Sequence, residues 1–252
     1  MTENRYPSPA QDFDRRSLPI LEIGAGYQFY RLNSRLNSKG EIHQSAKFFD
    51  RTGCGRWDGS NQDYGILYVG ADSYAAYIEC YGREPEQRSF SSNSLLITET
   101  ELNRRFLSRF TSKKQLRFVQ VYGNGLQKLG VDSQITSCSP KEYEFPREWG
   151  RAFHQHPDKV DGICYLSRHD NEKLCYGIFD RAASQISEEQ LCNGKFQPLR
   201  LETSSKDSCR SLIKFINRQH PEVNLDSVLQ HYGHQITTDG PVTGIDIDDV
   251  IN

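Results

Sequence analysis

The sequence predicts an α+β fold: a single mixed domain with a helical extension at its C-terminal end. Three observations carry this reading. Short apolar runs of strand character (residues 65–69, 116–122, 161–166 and 174–179) are interspersed with segments of helical spacing (73–82 and 147–156). The last two of those strands flank the polar run RHDNEK, an antiparallel hairpin signal. No Gly-x-Gly-x-x-Gly stands at a strand-to-helix junction, as a doubly wound dinucleotide-binding sheet would require. At 252 residues the chain is long enough to bury a substantial core, and it contains no internal repeat. Residues 1–18 read as a flexible arm, 19–183 as the core domain and 184–252 as the helical extension.

The arm holds Pro7 and Pro9 among charges and lacks an apolar core of the secretory kind. Apolar character begins at Leu18, and Gly26 to Arg31 alternates like a strand that delivers Arg31 to its end. Residues 33–47 are polar and loop-like, with His43 lacking a recognisable partner. Gly53 and Gly55 then bracket a loop in which Arg56 stands beside Trp57; glycine there permits close backbone approach and positive φ. Gly65 to Val69 reads as a strand. Asp72 or Ser73 caps a helix that runs to Gly82 and carries Glu79 beside Ala75, Ala76 and Ile78, which predicts a partly buried carboxylate.

Ser94 to Thr98 reads as a strand, and Thr100 to Phe110 as an amphipathic helix with Leu102, Phe106, Leu107 and Phe110 on its apolar face. Leu116 to Tyr122 is a strand and Gly123 to Gly125 a turn. Ser139 to Pro146 is a loop, followed by a helix from Arg147 to His156 that Pro157 stops. His154 and His156, two apart on a helix, point away from each other and cannot share a metal. Ser167 closes the first strand of the hairpin. In the extension, short helices are expected at Ser187–Leu191, Asp207–Gln219 and Leu225–Tyr232; His231 and His234 have no third ligand in view.

Composition narrows the function. A hydrophobic share of 36% beside 25% charged residues is that of a soluble globular protein, and a net charge of -2 gives no support to direct nucleic-acid or membrane-surface binding. No run approaches the length of a bilayer span. Seven cysteines without a C-x-x-C pair read as reduced thiols, and the expected location is cytoplasmic.

Six ordered blocks stand out: Tyr30-Arg31, Gly55-Arg56-Trp57, Leu67-Tyr68, Glu79 eleven residues beyond Tyr68, the run DGICYLSRH from Asp161 to His169, and GIFD from Gly177 to Asp180. In this order they resemble the RES-domain family, over roughly residues 24–183. Three features depart from its usual pattern: Cys54 replaces a common glycine, no Asn-Pro follows Trp57, and Asn33 and Ser34 stand where a Tyr commonly follows the early basic residue. The resemblance implies a small curved sheet similar to that of ADP-ribosyltransferases. It also implies an NAD-degrading enzyme that cleaves the nicotinamide–ribose bond by phosphorolysis or hydrolysis, acting as a toxin with an antitoxin protein as partner. NAD is then a substrate, inorganic phosphate a possible co-substrate, and neither a cofactor nor a metal is called for. An ADP-ribosyltransferase modifying a protein, or a non-catalytic nucleotide- or partner-binding module, are the alternatives.

On this reading the catalytic residues are Glu79, Arg56 and Ser167, and the ligand-binding residues Arg31, Arg56, Tyr68 and Ser167. Glu79 suits the positive charge that develops on the ribose as nicotinamide leaves. Arg56, with Arg31 second, suits the paired phosphates. Tyr68 offers a ring to nicotinamide or ribose, and Ser167 a single orienting hydrogen bond.

Overall fold

Strands that are apolar without interruption are those buried on both faces, and the hairpin of residues 161–179 supplies two of them: β7 (Gly162–Leu166) and β8 (Leu174–Phe179). The computed structural model describes residues 7–34, 40, 43, 45–82, 95–98, 104–191 and 225–237. The other strands are β1 (Ile20–Ile23), β2 (Gln28–Ser34), β3 (Ile66–Gly70), β4 (Leu95–Thr98), β5 (Arg105–Ser112), β6 (Leu116–Val121), β9 (Ile186–Gln190) and β10 (His234–Thr237). The helices are α1 (Ser73–Tyr81), α2 (Asn124–Leu129), α3 (Gln134–Ser137), α4 (Glu144–Gln155) and α5 (Leu225–His231). Together they make a mixed α/β domain in which helices pack on one main sheet. None of the described helices is long and apolar enough to cross a membrane.

Among the described residues the main sheet has eight strands in the order β1-β6-β7-β8-β3-β2-β5-β9, antiparallel at every junction except β6–β7. The β3–β2 junction is held by one residue pair, Tyr30 opposite Gly70, so β2 and β3 diverge there. The sheet is curved: Phe29 on β2 lies 6.1 Å from Phe118 on β6, ring to ring, although β7, β8 and β3 stand between those strands. Phe29, Phe118 and Tyr176 fill the concave side with Leu67, Phe110 and Ile178. On the opposite face Trp57, Ile66, Val119, Ile163 and Phe179 pack against Trp149 and Phe153 of α4.

Eight strands make the sheet larger than the small one expected, because two segments read as helical are strands. Residues 105–112 form β5, which pairs with β2 from Gln28↔Thr111 to Ser34↔Arg105 and with β9 on its other side. Phe106, Ser108, Phe110 and Ser112 are buried in strand alternation, so ladder bonds on both edges override the helical spacing of the same apolar residues. Ser187–Leu191, expected as a helix, holds most of β9, which places the edge of the main sheet inside the region assigned to the extension. The extension is not wholly helical either: α5 is followed by β10, which pairs in parallel with β4. Asp207–Gln219 lies outside the described residues.

The arm also differs from expectation in its described part. Phe13 is buried, 5.3 Å from the Trp149 ring and 5.8 Å from that of Phe153. Trp149 Nε1 donates to the Pro7 carbonyl at 2.9 Å. Residues 7–18 are therefore docked on α4, whose start lies three residues before the expected one, with Pro146 in its first turn where a missing N–H costs nothing.

Candidate functional site

The loop that carries Arg56 is fixed by a side chain the sequence reading passed over. Asp58 is fully buried; its Oδ2 accepts from the Gly55 N–H at 2.8 Å and its Oδ1 from the Tyr68 hydroxyl at 2.6 Å. That hydroxyl in turn accepts the Trp57 N–H at 2.9 Å. Gly53 takes a left-handed φ of 76°. Gly55 is needed for space: a Cβ there would lie 2.5 Å from both Asp58 Oδ1 and the Tyr68 hydroxyl. From α4, Arg147 donates to the carbonyls of Gly55 at 2.9 Å and Cys54 at 2.7 Å, and the Tyr64 hydroxyl donates to the Trp57 carbonyl at 2.5 Å. Trp57 is fully buried and plugs the loop into the core, 5.6 Å from the Tyr165 ring. Tyr68 thus spends its hydroxyl on the loop, and burial pushes its pKa well above the ordinary range.

So held, Arg56 is buried, with its guanidinium 5.4 Å from the Tyr143 ring centroid and 5.7 Å from that of Tyr165. Its Nε has no hydrogen-bond partner among the described residues. Desolvation pulls the Arg56 pKa down, but Tyr143, Tyr165, Glu79 and Cys138 together outweigh it, and the net shift is upward.

Glu79 sits on α1, whose N-terminus Asp72 caps through the Ala75 N–H at 2.7 Å. Ala75, Ala76, Tyr77 and Ile78 are buried, yet Glu79 itself is exposed, contrary to the partly buried carboxylate expected. The helix turns about 100° per residue, so buried flanking positions do not bury the residue between them. Its charge nonetheless reaches Arg56, Tyr143, Tyr165, Arg168 and Cys175, which come from separate parts of the chain. No ion pair joins Glu79 to Arg56 among the described residues, so Glu79 acts on Arg56 only through its charge.

Ser167 is buried at the start of the hairpin turn, where its Oγ accepts from the N–H groups of His169 at 3.1 Å and Asp170 at 3.3 Å. Arg168, next in the chain, donates to the Cys138 carbonyl at 3.4 Å and to His169 Nε2 at 3.4 Å. Burial lowers its pKa, and the like charge of Arg56 lowers it further against the pull of Glu79. A Cβ on Gly82, one turn beyond Glu79, would lie 2.5 Å from the His169 ring, so the turn packs against the end of α1. Arg31, on β2 where β2 and β3 diverge, donates to the Phe48 carbonyl at 3.5 Å. Burial lowers its pKa, while Asp50, Cys80, Glu188 and Tyr68 oppose the shift. Arg31 therefore lies within electrostatic reach of Tyr68 and of Cys80, the α1 residue next to Glu79.

Arg56, Glu79, Tyr68 and the Ser167 turn thus belong to one neighbourhood, with Arg31 on its Tyr68 side. Asp58, Tyr143 and Arg147 have no signal of their own in the sequence. Tyr165 lies within the DGICYLSRH run, two residues before Ser167. No group of three His, Cys, Asp or Glu among the described residues could hold a metal ion.

Residues 28–199 match the RES domain, about two thirds of the chain. Among solved structures, the chain is similar to one in the crystal structure of the M. tuberculosis MbcT-MbcA toxin-antitoxin complex, with 10% identity and a TM-score of 0.45 over 67% of this chain and 86% of that one. No curated protein matches it.

Proposed function

From the premise that this chain belongs to the RES domain family, we propose that it degrades NAD by cleaving the bond between nicotinamide and ribose, with phosphate or water as acceptor. The observation that carries the proposal is the grouping of an exposed carboxylate, Glu79, with the guanidiniums of Arg56 and Arg168. Two cations held close enough to repel one another suit the diphosphate of a dinucleotide, which would relieve that repulsion. A carboxylate open to solvent beside them can reach the ribose that the diphosphate anchors.

In the reaction, the C1–N bond breaks with its electron pair going to the nicotinamide nitrogen, and positive charge develops on the ribose ring. Glu79 stabilises that charge directly or through the 2-hydroxyl. An oxygen of phosphate or water then bonds to C1, giving ADP-ribose 1-phosphate or ADP-ribose, the latter with loss of a proton. Ser167 accepts two backbone N–H groups, which leaves its hydroxyl proton to donate to the substrate. Tyr68 is half-buried, and its ring packs against nicotinamide or ribose while its hydroxyl holds the loop. Arg31 serves the same ligand from the other side of Tyr68.

The curved sheet, with β2 and β3 diverging beyond the Tyr30–Gly70 pair, is, on this proposal, of the ADP-ribosyltransferase kind. The enzyme works in the cytoplasm, where the free thiols of Cys54, Cys80, Cys138, Cys164 and Cys175 stay reduced, and an antitoxin protein restrains it.

The test is nicotinamide release from NAD by the purified protein, with and without inorganic phosphate and with candidate protein acceptors. Glu79→Gln should lower kcat on the order of a hundredfold with little change in unfolding midpoint, because the side chain is exposed. The phosphate arm separates phosphorolysis from hydrolysis, and label on an acceptor would reveal transfer to protein. An antitoxin-free protein that leaves NAD intact, or a fully active Glu79→Gln variant, would refute the proposal.

A further inference from the structure

We propose that Tyr232, which lies beyond the RES match, is a positioning residue that ties the Ser167 turn to α1. The two walls of the site, the helix bearing Glu79 and the turn bearing Ser167 and Arg168, are separate in sequence. The segment from Leu225 to Thr237 touches both.

On one side, Val228 and Leu229 of α5 are buried with Tyr77 and Tyr81 of α1 and with Ile97. The Tyr232 ring lies nearly parallel to that of Tyr77, at 10° with centroids 5.9 Å apart, and meets Tyr74 at 6.3 Å. On the other side, its hydroxyl is 2.9 Å from Asp170 Oδ2 and 3.5 Å from the Tyr74 carbonyl. One hydroxyl proton serves the shorter, charged acceptor first. The Tyr232 pKa is pushed up by burial and by donation to Asp170, which keeps that proton in place.

Asp170 is the hub of the turn. Its other carboxylate oxygen accepts from Glu172 N–H at 3.0 Å, its own N–H donates to Ser167 Oγ at 3.3 Å, and its carbonyl accepts from Lys173 N–H at 3.0 Å. A second tie runs from Lys173 to Asp72, the cap of α1, at 3.1 Å, but that carboxylate is 45% exposed and the pair is open to screening. Tyr232 therefore supplies a link of its own beside that ion pair, and it fixes the carboxylate of the residue whose backbone N–H bonds the Ser167 hydroxyl.

This inference rests on the NAD reading for its catalytic readout, so the test has an arm independent of it. Tyr232→Phe in the full chain keeps the ring on Tyr77 and removes only the hydroxyl. Amide exchange at His169 and Asp170 should quicken by about tenfold to a hundredfold, the usual weight of one hydrogen bond to a charged group. The kcat for nicotinamide release should fall by about tenfold while KM stays within about twofold, since misplacement of Ser167 matters most in the transition state. Combining it with Asp170→Ala should add little further loss, because both changes break the same tie. Unchanged exchange, additive losses, or faster exchange with unaltered kcat would each overturn the assignment. Were the wild-type protein inert toward NAD, the NAD reading would fall, whereas the tie would still stand or fall on the exchange of His169 and Asp170.

Discussion

The Tyr68 hydroxyl is the most exacting point at which to test how the Arg56 loop is held, because one atom serves two partners there. It accepts the Trp57 N–H at 2.9 Å and donates to the fully buried Asp58 at 2.6 Å. Tyr68→Phe keeps the ring and strands both: a backbone donor left unpaired costs about 1–3 kcal/mol, and a hydrogen bond to a charged acceptor contributes about 1.5–3 kcal/mol. The sum, less some relaxation, is a destabilisation of about 2–4 kcal/mol, a large share of a typical total of about 5–15 kcal/mol. Urea unfolding should show it as a lower midpoint at unchanged m. The loss has a pH signature. Burial raises the Asp58 pKa, and the Tyr68 and Gly55 hydrogen bonds oppose the rise, so removing the hydroxyl raises it further. A carboxyl whose folded pKa lies above its unfolded value costs the folded state stability as pH climbs through that range. The destabilisation by Tyr68→Phe should therefore be smaller in acid, where Asp58 is protonated, than at neutral pH. A change below about 1 kcal/mol at neutral pH, against the stranding cost expected of a buried pair, would show that the hydroxyl does not hold the loop.

Two further outcomes are expected. Gly55→Ala would force a Cβ to 2.5 Å from Asp58 Oδ1 and the Tyr68 hydroxyl, so it should destabilise by about 1–3 kcal/mol or more and weaken NAD binding measured by calorimetry; a variant with wild-type midpoint and affinity would contradict the packing described. His154, stacked 4.3 Å from Tyr64 and lowered to about 4 by burial first and Arg181 second, must bind a proton on unfolding between that value and its ordinary pKa. Stability should thus be lost as pH falls from about 6.5 toward about 4 by about 1–2 kcal/mol, discounted for partial exposure. Denaturation across that range should show a flatter pH slope for His154→Phe, and identical slopes would rule the linkage out.

What the sequence discloses of this molecule is mostly what local chemistry decides. The strand β3, the cap of α1 by Asp72 and the hairpin β7–β8 are legible because turn residues and apolar runs specify them within a few positions. The strands β5 and β9 are not, because their identity comes from pairing: Arg105–Ser112 lies between β2 and β9, and no local pattern reports a neighbour on both edges. The same division runs through the site. The resemblance to the RES pattern singles out Arg56, Tyr68, Glu79 and Ser167, whereas their environments come from Tyr143, Arg147 and Asp170, whose relation to the loop and the turn exists only once the chain is folded. Glu79 shows the cost of reading environment locally, since its apolar neighbours on the helix face the core while it faces out. Its exposure suits the chemistry proposed for it: a carboxylate sealed in the core, as the flanking residues suggest, would carry a desolvation penalty and could not reach a ribose, whereas one on the open side of α1 needs only the cations across from it to bring the substrate within range.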